Sequence, residues 1–231
     1  MTVRHQLLSI LTAMVALVVG APQVSAVPVT TGRIFHLDAG MNLTAPGGNV
    51  ASWGDQSATG ETVTTNSGTP TLISVNGQPS VLFDNSDRMI GTNTSVFDLG
   101  AGDVTWFLVT RVDDNAGNSR AFGTLQNSSP FDGFAADVTP DERDGAFFRQ
   151  NSYQITSDPN TALGAGLLVF TGVRESGATR LLRDGTLAAT GASNANFAGD
   201  AISIGTERTG GSEFFAGAIS DFNEIADGRG R

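Results

Sequence analysis

No cysteine occurs in the 231 residues, so neither a disulfide nor a thiolate metal site contributes to this chain. Lysine is also missing. All 13 basic residues are arginine, a bias that points to a high-GC bacterial genome more than to a function. Against 23 acidic residues they leave a net charge of −10, which excludes charge-driven binding to nucleic acid or to an anionic membrane. Only two histidines are present, His5 and His36, and neither a Gly-x-Ser-x-Gly nor a His-x-x-His spacing accompanies them. A nucleophile elbow and a histidine zinc site are therefore unsupported. Tryptophan and tyrosine number two and one, a thin supply for stacking on sugar rings. Beyond residue 19 no apolar run is long enough to span a bilayer, and helical periodicity is almost absent.

What is present starts with an export signal. Arg4 and His5 precede an apolar run over residues 7–19, and residues 20–26 (GAPQVSA) end in small side chains at the positions a signal peptidase reads. Cleavage is predicted after Ala26, because the run falls short of the roughly 20 residues a membrane span needs. Residues 27–231 are then expected to form one all-β domain, extracellular or at the cell surface, with no membrane insertion after cleavage. No Pro-rich, Ser-rich or charged stretch divides them into two domains.

Short β-branched and aromatic runs separated by turn residues fill that domain. In residues 167–222, apolar runs alternate with Ser176-Gly177, Asp184-Gly185, Gly191 and Gly210-Gly211, the spacing of an antiparallel meander. Further strands are predicted at 34–37, 50–53, 71–75, 79–84, 104–111, 121–125, 133–138, 146–149, 201–205 and 214–222. Residues 104–111 (VTWFLVTR) and 167–173 (LLVFTGV) are apolar on both parities, the pattern of central strands buried between two layers. Asn76-Gly77 and Asp184-Gly185 are the clearest hairpin turns, and a short helical turn near residues 95–99 can be capped by Asn93 or Thr94. With 29 glycines available for turns and bulges, the expected fold is an antiparallel β-sandwich.

The order of these elements resembles the laminin G-like, concanavalin A-like lectin/glucanase superfamily of secreted bacterial proteins. The resemblance rests on residues 37–39 (LDA), 50–57 (VASWGDQS), 76–84 (NGQPSVLFD), 181–186 (LLRDGT), 202–205 (ISIG) and 214–221 (FFAGAISD), in that order. It implies a jelly-roll sandwich of two antiparallel sheets. In such domains the last strand continues into an apolar stretch, whereas residues 223–231 turn polar, which leaves the pairing of this strand open.

Glucanases of that superfamily carry clustered carboxylates on one strand, where residues i and i+2 flank the scissile bond. Among Glu61, Glu142, Glu175, Glu207, Glu213 and Glu224, only Glu142 has an acid two positions away, Asp144, and both fall in a polar loop. Asp221 and Glu224 are three apart and are expected to face opposite ways. No enzyme activity is therefore expected. His36, alone inside a strand, reads as a packed or edge residue rather than a base. Calcium is the more plausible cofactor, since hard cations take carboxylate and carbonyl oxygens. Its candidate ligands are Asp113, Asp114, Asp137 and Asp141, against the plainer reading that Asp and Asn populate turns for their own backbone bonds. Residues 84–87, with Asp84 and Asp87, are a further calcium candidate, although the resemblance implies a structural turn after a core strand there. Trp53 and Trp106 read as core, so Tyr153, with Asn151 and Asp137 nearby in sequence, is the candidate ligand platform. The expected function is a non-catalytic binding or adhesion module for a glycan or a surface protein, acting through the loops between Asp113 and Tyr153. The alternatives are a structural component of the matrix or cell surface and, last, a glycoside hydrolase.

Overall fold

The computed structural model describes residues 32–97, 99–100, 102–113, 120–124, 133–137, 145–150, 152–153, 166–192, 200–206, 208–211 and 213–226. Its strands are β1 (Arg33–Asp38), β2 (Leu43–Thr44), β3 (Ser52–Gly54), β4 (Thr62–Ser67), β5 (Thr71–Val75), β6 (Gln78–Asp84), β7 (Arg88–Ile90), β8 (Val104–Val112) and β9 (Arg120–Gly123). They continue with β10 (Gly133–Asp137), β11 (Gly145–Gln150), β12 (Ser152–Tyr153), β13 (Leu168–Glu175), β14 (Ala178–Arg183), β15 (Thr186–Ala192), β16 (Ser203–Ile204) and β17 (Ala216–Ala226). An eight-stranded sheet has the order β15-β14-β13-β8-β17-β6-β5, with β1 also on β17, and a nine-stranded sheet has the order β12-β11-β10-β9-β16-β7-β4-β3-β2. Every pairing is antiparallel, and the two sheets form a β-sandwich.

Local chemistry explains the hairpins. Asn76-Gly77, Ser176-Gly177 and Asp184-Gly185 all have both central residues at positive φ, between 49° and 85°, which is the backbone of a type I′ turn matched to strand twist. The helical turn forms at Ser95–Phe97, and Asn93 caps it by accepting hydrogen bonds from the Ser95 N–H at 3.1 Å and the Ser95 hydroxyl at 2.8 Å. Asp84 and Asp87 are structural, as their turn context suggests. Asp87 is buried and accepts from the Thr69 and Asp84 amides, while Asp84 accepts from Ser86.

Aromatic rings join the layers. Phe122 of the nine-stranded sheet lies 5.2 Å from Trp106 and 4.1 Å from Phe222 of the other sheet, ring centre to ring centre. Phe97 bridges Phe35 at 5.4 Å and Phe134 at 6.5 Å. At the centre the indole of Trp106 lies over Gly172, its register partner on β13, where an added Cβ would overlap the ring. Only glycine leaves the tryptophan that space.

Four expectations need correction. Residues 62–67 and 88–90 are strands, the first hidden by its polar composition and the second by its length of three residues, and Gly191 lies inside β15 instead of at a turn. The last strand starts at Ala216 rather than Phe214, and its pairing is the most extensive among the described residues. β8 lines one edge of β17, while β6 and then β1 line the other, end to end. At the junction the register of β17 against β8 shifts between Ile219 and Asp221, so Ile219 and Phe222 both reach the core. The polar residues at the end of β17 are therefore held by backbone pairing, which does not depend on apolar side chains. Finally, neither β8 nor β13 is buried on both faces: along β13 Phe170, Gly172 and Arg174 are buried, while Val169 and Thr171 are not. Val104, Trp106, Leu108, Thr110 and Val112 are buried, and every residue between them is half-exposed.

Candidate functional site on the outer face of the eight-stranded sheet

That half-open face carries partly exposed apolar side chains on β8, β13, β14 and β15. Register pairs line up His36, Asn223, Phe107, Thr171, Leu182 and Leu187 across six strands, from β1 to β15. The adjacent row holds Asp38, Asp221, Val109 and Val169. Phe107, Val109, Thr171 and Leu182 are half-buried, Val169 is 36% exposed and Leu187 is 55% exposed. An apolar stripe thus runs outward from a polar end built on β1 and β17.

The polar end is a connected network. Arg33 Nη1 lies 3.1 Å from His36 Nδ1, and His36 Nε2 lies 3.3 Å from Asp221 Oδ2. Arginine only donates, so Nδ1 accepts and the imidazole proton sits on Nε2, facing the carboxylate. The second arginine nitrogen, Nη2, donates to the Gln56 carbonyl at 3.2 Å, and the Gln56 amide donates to the His36 carbonyl at 2.8 Å. Beneath it, Asp55 is buried and accepts from the His36 and Ser57 amides and from the hydroxyls of Ser57 and Thr59. These bonds fix the loop after β3 against β1. Two groups of the network are unmet: the Gln56 side-chain nitrogen, a donor, and Asn223 Oδ1, an acceptor, have no hydrogen-bond partner. Both atoms are themselves buried, so each costs about 1–3 kcal/mol as long as it has no partner.

The residues singled out from sequence lie elsewhere. Asp113 follows β8, and both its oxygens are held by Arg111, at 2.6 Å from Nε and 2.6 Å from Nη2, which also raises the pKa of the arginine. Asp137 closes β10 and Tyr153 closes β12, both in the opposite layer from Asp113. Asn151, Asp114, Asp141, Glu142 and Asp144 lie outside the described residues. Among the described residues no three His, Asp or Glu side chains converge as metal ligands would. Asp221 and Glu224 do face opposite ways, Asp221 outward and Glu224 into the core. Sequence spacing missed the His36–Asp221 pair because its members are 185 residues apart. It also missed that Asp38 stands directly opposite Asp221 across two strands.

No protein-family model and no curated protein matches the chain. Solved structures do. Domain 4 of AbnA, a GH43 extracellular arabinanase from Geobacillus stearothermophilus, in complex with arabinotriose, superposes with a TM-score of 0.62 at 10% identity, over 84% of this chain and 92% of that one. The binding domain of botulinum neurotoxin DC in complex with SialylT gives 0.60 at 14% identity, over 86% and 48%. An arabinofuranosidase complexed with arabinofuranosyl-alpha-1,2-xylobiose gives 0.54 at 11% identity, over 78% and 47%. This chain spans about half the length of the last two. At such identities the likeness establishes the fold, a β-sandwich shared with domains seen in complex with carbohydrate.

Proposed function

We propose that the protein is a secreted, non-catalytic glycan-binding module of laminin G-like type, with the outer face of the eight-stranded sheet as its site. The observation that carries this reading is the half-exposed aromatic Phe107, in register between Asn223 and Thr171 and beside the outward-facing Asp221. A sugar ring offers an apolar C–H face and hydroxyls that both donate and accept, so it can cover Phe107 while bonding the Asp221 carboxylate. The net charge of −10 favours neutral over acidic glycans. Carbohydrate complexes among the structural neighbours support the ligand class. Titration calorimetry with arabinotriose and a panel of neutral oligosaccharides tests it. Binding that Phe107→Ala weakens by roughly tenfold supports the outer face, whereas wild-type affinity retained by both Phe107→Ala and Asn223→Ala removes it.

A glycoside hydrolase is the second reading, favoured by Asp38 and Asp221, which the β1–β17 register sets opposite each other. Sugar release by the wild type that Asp221→Asn eliminates would replace the first reading with this one.

A further inference from the structure

Glu224 is fully buried, and neither of its carboxyl oxygens has a hydrogen-bond partner. Its register partners are Phe35 on β1 and Trp106 on β8, both fully buried, and Trp106 Nε1 is also without a partner. Glu224 therefore sits between the two strands that flank the second half of β17, directly behind the outward-facing Asp221 and Asn223. We infer that Glu224 is a positioning residue for the outer face: as a neutral acid it lets β1, β17 and β8 pack, and its ionisation loosens them and displaces His36, Asp221 and Asn223.

Two buried cations share the inner surfaces of the sandwich. Arg174, on β13, donates to the carbonyls of Gly100 and Gly102, with Asp103 as its charged neighbour, and Arg120, on β9, pairs with Glu213. The facing residues of β1 and β8, namely Phe35, Leu37, Val104, Trp106 and Leu108, carry no charge, and neither do Phe97, Phe122 and Phe134. His36, Asp38 and Asp221 lie on the other face. Loss of hydration is accordingly the cause that pushes the Glu224 carboxyl well above its ordinary 4.5. Because the folded state then holds a proton that the unfolded chain releases, stability falls as pH rises from the ordinary value toward the folded one. One such group changes the unfolding constant by up to about tenfold per pH unit.

The inference rests on the outer-face reading for its functional meaning, but its test does not need a ligand. Urea unfolding and amide exchange of the full chain, compared with Glu224→Gln from about pH 5 to about pH 9, read the titration directly. The wild type should lose stability with rising pH where the variant does not. Protection at residues 33–38 and 221–226 should fall faster in the wild type than intrinsic exchange chemistry requires. Parallel profiles in the two proteins would overturn the inference. Infrared spectra of the wild type alone cover the case of a variant that does not fold: a protonated carboxylic acid band at neutral pH is expected, and its absence counts against the role. Failure of arabinotriose to bind at any pH would instead sink the outer-face reading and leave the exchange profiles to decide on Glu224.

Discussion

Trp106 and Phe107 are neighbours in the chain, both aromatic and both in the middle of β8, yet they stand on opposite faces of one sheet. Trp106 is enclosed by Phe122, Gly172 and Glu224, with no surface exposed. Phe107 lies between Asn223 and Thr171 and stays half-exposed. Both faces of the strand carry apolar side chains, but only one side has a second layer to pack against. An apolar side chain on the covered face is accounted for by folding, and one on the open face by what it can bind.

Substitutions at these two positions should separate cleanly. Trp106→Ala is expected to cost about 3–5 kcal/mol in urea unfolding, because a large cavity replaces a ring with partners on every side. Gly172→Ala should follow at about 1–3 kcal/mol, since the new methyl group needs the space the indole occupies. Phe107→Ala should shift stability by about 1 kcal/mol or less and reduce glycan affinity by roughly tenfold, the effect of losing one stacking contact. Should the two aromatic variants lose stability equally, the distinction between the faces fails.

Asn223→Leu sharpens the comparison further. Removing a buried acceptor that has no partner should leave the unfolding midpoint unchanged or raised, while the loss of a polar neighbour of Phe107 weakens glycan binding. The smallest effect concerns calcium, proposed for the loops that hold Asp113, Asp114, Asp137 and Asp141. Asp113 already bonds Arg111 through both oxygens, so any metal must come mainly to the others. An excess of calcium should raise the melting temperature relative to EDTA if the site binds, and coincident curves dispose of it.

Legibility in the sequence followed the range of the interaction. Asn76-Gly77, Asp184-Gly185 and the Asn93 cap are settled within four residues, and all three form as the sequence predicts. The strands at 62–67 and 88–90 escaped because their neighbours across the sheet hold them, not their own composition. The same holds for the end of β17, whose polar residues read as the close of the sheet and instead occupy its centre. At the site, the scarcity of tryptophan and tyrosine is legible in the composition and points to Tyr153 and the middle loops. Phe107 reads as core, because parity along β8 cannot tell a covered face from an open one.

By itself the sequence determined an all-β chain with type I′ hairpins, a single large stock of apolar side chains and a strongly acidic surface. Those properties follow from local backbone preference and from charge, which need no partner to be defined. Only the tertiary structure decided that β8 is packed on one side, that Asp221 meets His36 across 185 residues and that Glu224 enters the core while Asn223 leaves it. Each of these depends on strand register and on the placement of the second sheet, and a shift of one residue would exchange the two faces.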